Sequence, residues 1–513
     1  MIKRAATLRE CVPGRPEREY RSAQHEGRPL TVAVGVALWT LVAAGQAHAH
    51  GFGARYDLPI PLSLYLAGAG LTVAVSFIML AAFMRSAPGS DEYWRFDVTR
   101  TAFGRLLVVP GFVLACRTLA VALYLGVVAA GLFGVQSPLK NIAPVMVWAI
   151  WWVSMAYISA LLGDLWALVN PLDALFIWAE ALYARVRPGR TLAIGLRYPD
   201  GIGAWPAVVL FLAFEWMELV WEHSDSPAYL AAAMLAYSAL TWLGMLFFGR
   251  TQWLRRGEVF TLVFGLLARF APTEVRDSGA GGRALYLRPW GVGLLSREPV
   301  PASIVVLVLA MLAGVCFDGF METPLWAGLL EYYAPSAQSL EGDGDAARTW
   351  IQTAGVIGAP LLFVAVYLVF CRLIVRCGGV RLPVARVAGP YVLTLVPIAI
   401  AYHLAHYLSF LAMAGQYLIP LASDPFGFGW NLFGTKNYFI RIGLVDARAV
   451  WYIAIGAIVT GHIVAVYLAH CVALKANSDR RAALRSQWPM VALMVCYTMT
   501  SLWIIAQPIV TTR

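Results

Sequence analysis

Apolar runs of about 20 residues, separated by short polar connections, fill the chain from residue 61 to its end. A helix of that length crosses the hydrocarbon core of a bilayer, which is roughly 30 Å thick. Ten runs predict ten spans. These are Pro61–Met84, Leu106–Phe133, Ile142–Leu168, Trp205–Trp221, Ala228–Phe248, Ala302–Phe320, Thr353–Val375, Tyr391–Met413, Val450–Ala473 and Pro489–Ile509. Two shorter apolar stretches, Leu172–Leu182 and Val259–Phe270, are expected to lie along the membrane interface. The predicted fold is all-α, a polytopic transmembrane helical bundle. Its single domain, residues 50–513, follows an N-terminal segment, residues 1–49, that reads as a signal peptide or an anchor.

That leader is polar and rich in arginine up to residue 30. An apolar stretch, Thr31 to Ala44, then ends in Gln46-Ala47-His48-Ala49. An A-x-A site after Ala49 is the pattern of signal cleavage, and would leave His50 as a new N-terminus bearing an imidazole and an amine. Retained, the same stretch would be an anchor helix.

The polar connections set the orientation. With residues 50–60 placed outside, the inside loops hold 24 Lys and Arg residues and the outside segments seven. Cytoplasmic loops carry such an excess, so the mature N-terminus is expected on the periplasmic side of a bacterial inner membrane. Composition agrees: the chain is 60% hydrophobic and 13% charged. The net charge of +10 is accounted for by these loops, so nucleic acid is not an expected partner. Seven cysteines offer no disulfide framework, since no two fall together in an outside loop. No Walker-type loop, dinucleotide fingerprint, nucleophile elbow or Cys-x-x-Cys occurs.

Against this apolar background the ionisable residues stand out, because a charge at membrane depth is costly and faces a bundle interior, a cavity or a partner. His403 and His406, three apart, share a face of the eighth span. They lie about 18 and 22 Å along it, in the outer half. The fourth span carries Glu215, Glu218 and Glu222 on one stripe, with His223 at its mouth. Asp318 lies near the outer end of the sixth span and His462 near the middle of the ninth. His50 is tethered closely enough to reach the same region. Imidazole with carboxylate is a ligand set for a divalent transition metal: zinc, iron, nickel or copper. The predicted metal ligands are His403, His406, His462, Glu215, Asp318 and His50, with Glu215 and Glu218 as catalytic carboxylates.

Other readings use the same residues. Arg117, inside the second span, offers an ion pair to one of these acids without any metal. His403 or His406 with His462 could ligate haem b, with His470 extending an electron path. Buried acids and histidines also make a pathway for a transported metal or proton. The outside loop Asp424–Gly434, which mixes aromatics with glycines, is either a lid over the cavity or an aromatic membrane anchor.

The chain resembles a bacterial multi-pass membrane family with members labelled fenitrothion hydrolase. The resemblance runs through His50-Gly51 and Arg55-Tyr56-Asp57-Leu58-Pro59-Ile60-Pro61. It continues in Leu162-Gly163-Asp164-Leu165-Trp166, Asn170-Pro171, Glu218-Leu219-Val220 and Phe317-Asp318-Gly319-Phe320. Further on it takes in His403-Leu404-Ala405-His406-Tyr407, the Asp424–Gly434 loop, Gly461-His462 and Leu468-Ala469-His470. It implies cleavage of the aryl ester bond of an organophosphorus triester. An uncharged triester partitions into lipid, so the expected partners are the bilayer and an apolar small-molecule substrate from the outer leaflet.

Overall fold

The computed structural model describes residues 56–87, 93–278, 282–295, 298–334, 343–379, 383–441, 446–477 and 479–511. The leader and His50 lie outside the described residues. The architecture is the expected all-α bundle. The main helices are α1 (Leu62–Phe83), α2 (Pro110–Phe133), α3 (Ile142–Leu161), α4 (Pro171–Val186), α5 (Trp205–Leu219), α6 (Pro227–Phe248) and α7 (Val259–Ala268). They continue as α8 (Ala302–Met321), α9 (Asp343–Gly378), α10 (Val384–Leu393), α11 (Val396–Ala414), α12 (Ala447–Ala476) and α13 (Arg480–Ile509). Among the described residues, nine helices are long and apolar enough to cross a membrane. Their outward faces carry exposed Leu64, Leu71, Ile78, Leu119 and Leu361, which is the surface a multi-pass protein presents to lipid.

Helix ends follow local chemistry. Asn170 closes α4 by accepting from the backbone N–H groups of Leu172 and Asp173, with Pro171 at the first position. Asp479 does the same for α13 through Arg481 and Ala482. Pro110 ends the run that begins at Leu106, splitting off a short helix, Ala102–Val108. In the middle of α3, Met146–Ser154 is wound as a π-helix.

Three elements differ from expectation. The eighth predicted span, Tyr391–Met413, is divided between α10 and α11 by a turn at Thr394 and Leu395. The fourth predicted span, α5, has only 15 residues, about 22 Å of helix. It is not among the nine described helices long enough to cross a membrane. Just before it, Asp200 accepts from Arg256; just after it, the Ser224 carbonyl accepts from Trp148. The stretch expected along the interface at Val259–Phe270 is instead the buried helix α7, with Val259 and Phe264 wholly inaccessible. Its apolar character comes from burial on all sides rather than from an interfacial position.

Loops expected on the same side of the membrane do meet. On one face Val135 and Ile142 donate backbone hydrogen bonds to Phe426 and Pro425, and β1 (Tyr56–Asp57) pairs in parallel with a final strand, Val510–Thr511. On the opposite face, β2 (Phe96–Asp97) pairs with β4 (Gly282–Leu287), which pairs with β3 (Thr273–Ser278), all antiparallel. Glu274 of β3 gathers Arg95, Arg276 and Arg288 there.

Candidate functional site

The most buried of the long helices is α8, and α5, α9, α10 and α11 pack around it. Its residues Gly314 and Asp318 face the Glu215 and Glu218 stripe of α5 and the His403 and Tyr407 face of α11 across one small cavity. Apolar residues, among them Phe211 and Met311, complete the lining. The cavity measures about 30 Å³, room for on the order of one water molecule.

A hydrogen-bonded chain runs along its wall. Trp152 of α3 donates its indole N–H to Glu218 Oε1 at 3.0 Å. Tyr407 OH lies 3.1 Å from the same oxygen and 2.8 Å from Asp318 Oδ2. Asp318 Oδ2 in turn lies 2.8 Å from His406 Nε2. A phenol has one hydrogen, so Tyr407 can donate to one carboxylate only. Its other contact then requires a proton held on the carboxyl side. The chain is thus built to share protons among Glu218, Tyr407, Asp318 and His406.

Two further groups have free atoms. Glu215 is buried, and its Oε2 has no hydrogen-bond partner among the described residues. His403 is buried too, makes a backbone hydrogen bond to Val153, and leaves Nε2 without a partner among them. Unpaired buried polar atoms are destabilising, and both residues that carry them line the one cavity. Room for Glu215 comes from Gly314: a Cβ there would stand 1.5 Å from Glu215 Oε1.

Of the residues predicted from sequence, Glu215, Glu218, Asp318 and His403 line the cavity, and His406 is tied to its wall through Asp318. His462 is not a lining residue; its ring N–H is given to the Ile458 carbonyl at 2.8 Å, and its ring lies 5.7 Å from that of Tyr497. His50 lies outside the described residues. Arg117 does not pair with these acids: it stands 3.7 Å from Asp173, which also binds Arg250. The reason is position, because Asp173 opens α4 beside α2 at the opposite face of the bundle. His223 stacks on Tyr229, and His470 binds Gln487. No residue of the Asp424–Gly434 loop lines the cavity; exposed Phe428, Trp430, Leu432 and Phe433 fit the anchor reading.

Sequence reasoning missed Trp152, Tyr407 as a hydrogen-bonding member, and Gly314. Tyr407 was legible in principle, since four residues separate it from His403 on the same helical face.

As arranged, no three His, Cys, Asp or Glu side chains among the described residues could hold a metal ion together. Comparison of the chain with protein-family models, with curated proteins and with solved structures returns no match.

Proposed function

We propose that this chain is an integral membrane hydrolase that activates a water molecule for attack on an uncharged ester reaching it through the lipid. The observation that carries the reading is that Glu215 and His403 both line one water-sized cavity, and that each has a buried atom, Oε2 and Nε2, with no hydrogen-bond partner among the described residues. A water held there has a base beside it. In the reaction, water oxygen forms a bond to phosphorus as its proton passes to Glu215 or His403. The aryl ester P–O bond breaks, and the departing phenolate takes a proton from the Asp318–His406 pair, leaving a phosphodiester and a phenol. Glu218 and Tyr407 return the proton along the chain. The triester class follows from the resemblance to the fenitrothion hydrolases and from the lipid solubility such substrates share. The site belongs to the outer half of a bacterial inner-membrane protein with its mature N-terminus in the periplasm, a placement supported by the 24-to-seven distribution of Lys and Arg. These steps use side chains and water alone; among the described residues no three ligating side chains gather.

The test is phenol release from an aryl phosphotriester by the purified protein in nanodiscs. Wild type is expected to turn over, and Glu215→Gln to lose about a hundredfold or more. Absence of turnover by folded wild type would refute the reading.

A second reading is favoured by the size of the cavity, about that of one water molecule. The chain of Glu218, Tyr407, Asp318 and His406, with Trp152 as a fixed donor at its end, would then relay protons or hold a small cation along the cavity wall. Proton or metal flux in proteoliposomes, abolished by Asp318→Asn, would support this reading over hydrolysis.

A further inference from the structure

Behind the polar cavity is a second one of about 260 Å³, enclosed by α2, α3, α4, α6 and α7. An aromatic partition separates the two. Trp152 lines the polar cavity and its neighbour Trp151 lines the apolar one. Phe214 and Phe260 pack between them, with ring centroids 4.7 Å apart for Trp152–Phe214, 5.1 Å for Phe214–Phe260 and 4.4 Å for Trp151–Phe260. Both tryptophans belong to the π-helical part of α3, a winding found preferentially at functional sites.

The walls are almost wholly apolar, with Val127, Met146, Met155 and Met234 among them. The polar groups that do occur are mostly engaged: Tyr124 and Ser238 bind each other at 2.6 Å, and Tyr237 binds Glu258. The indoles are the exceptions. Trp151 and the buried Trp166 both line the cavity, and neither indole N–H has an acceptor among the described residues. At the edge of the cavity Leu123 of α2 is 51% exposed, on a helix whose outer face is apolar. An apolar chamber with indole donors that have no acceptor among the described residues, and with an edge toward lipid, has the make-up of a small-molecule site.

We propose that this chamber binds a neutral, largely apolar small molecule bearing one hydrogen-bond acceptor, drawn from the bilayer past Leu123, with the acceptor held by Trp166. Its role as the waiting position of the ester, one aromatic layer from the water site, rests on the hydrolytic reading; the binding itself does not.

The test uses benzophenone and diphenylmethane, which have nearly the same shape and differ in the carbonyl acceptor, against the full chain in nanodiscs. Saturable benzophenone binding is expected, and irradiation should attach it to Met146, Met155 or Met234. Ala120→Phe, which fills the chamber from α2, should abolish both binding and labelling. Trp166→Phe should weaken benzophenone by about threefold to tenfold and leave diphenylmethane unchanged. Glu215→Gln should bind like wild type even where it no longer hydrolyses, and absence of turnover by wild type with intact benzophenone binding would count against the hydrolase reading alone. Labelling confined to lipid-facing residues such as Phe133, an equal effect of Trp166→Phe on both probes, or a phospholipid retained by wild type and lost from Ala120→Phe would overturn the proposal.

Discussion

Glu215 lays its carboxylate against the bare Cα of Gly314: a methyl group on that glycine would stand 1.5 Å from Glu215 Oε1. Relieving so close an approach would mean moving the carboxylate or parting α5 from α8. Gly314→Ala is therefore expected to displace the carboxylate and reduce turnover as far as Glu215→Gln does. Gly358→Ala on α9, where a Cβ meets nothing within 4 Å, should keep wild-type activity. Rates of the two alanine variants in the same lipid, with thermal unfolding as a check on folding, decide the matter.

Asp318 holds His406 and Tyr407 on one oxygen. Asp318→Asn and His406→Gln should each impair proton delivery, and the double variant should lose little more than the worse single one. Residues in one network couple by about 0.5–3 kcal/mol. A double-mutant cycle on turnover checks this; additive losses would separate the pair.

Glu274 supplies the pH prediction, on the loop side of the bundle. Burial raises its pKa, but Arg276, Arg288 and Arg95 outweigh that and hold the carboxyl below the ordinary range. A group depressed in the folded state contributes stability above its unfolded pKa of about 4.3, and that stability is lost as pH falls through the folded value. Unfolding temperature should drop below about pH 5 in wild type, and less so in Glu274→Gln, which starts lower at neutral pH. Parallel acid limbs for the two proteins would contradict the assignment.

The donor arrangement also makes a prediction about metals. With no three ligating side chains gathered among the described residues, stringent chelation should leave phenol release unchanged. Activity lost on chelation and restored by zinc would return the site to metal-hydroxide chemistry.

The bundle was legible because span length and loop charge are properties of contiguous sequence. The Glu215 and Glu218 stripe, His403, His406 and Asp318 were legible as a site because ionisable residues in apolar runs must face a cavity or one another. What escaped depended on contacts between distant segments. His462 has the depth of a ligand but spends its ring N–H on its own helix, at Ile458. Arg117 has the depth of a counter-charge for these acids, yet its partner is Asp173, on a helix expected at the interface. Trp152 reads as one more apolar aromatic, and only its indole N–H on Glu218 reveals otherwise. The burial of α7 was hidden for a similar reason, since a short apolar run does not disclose whether lipid or protein covers it.

The central claim is that Glu215 and His403 serve one guest in one cavity. Groups acting as a unit are non-additive in their kinetic effects. The decisive measurement is kcat for aryl phosphotriester hydrolysis by Glu215→Gln, His403→Gln and the double variant in nanodiscs. The account predicts a large loss in each single variant and no further loss in the double. Losses that multiply, or a single variant with wild-type kcat, would contradict it.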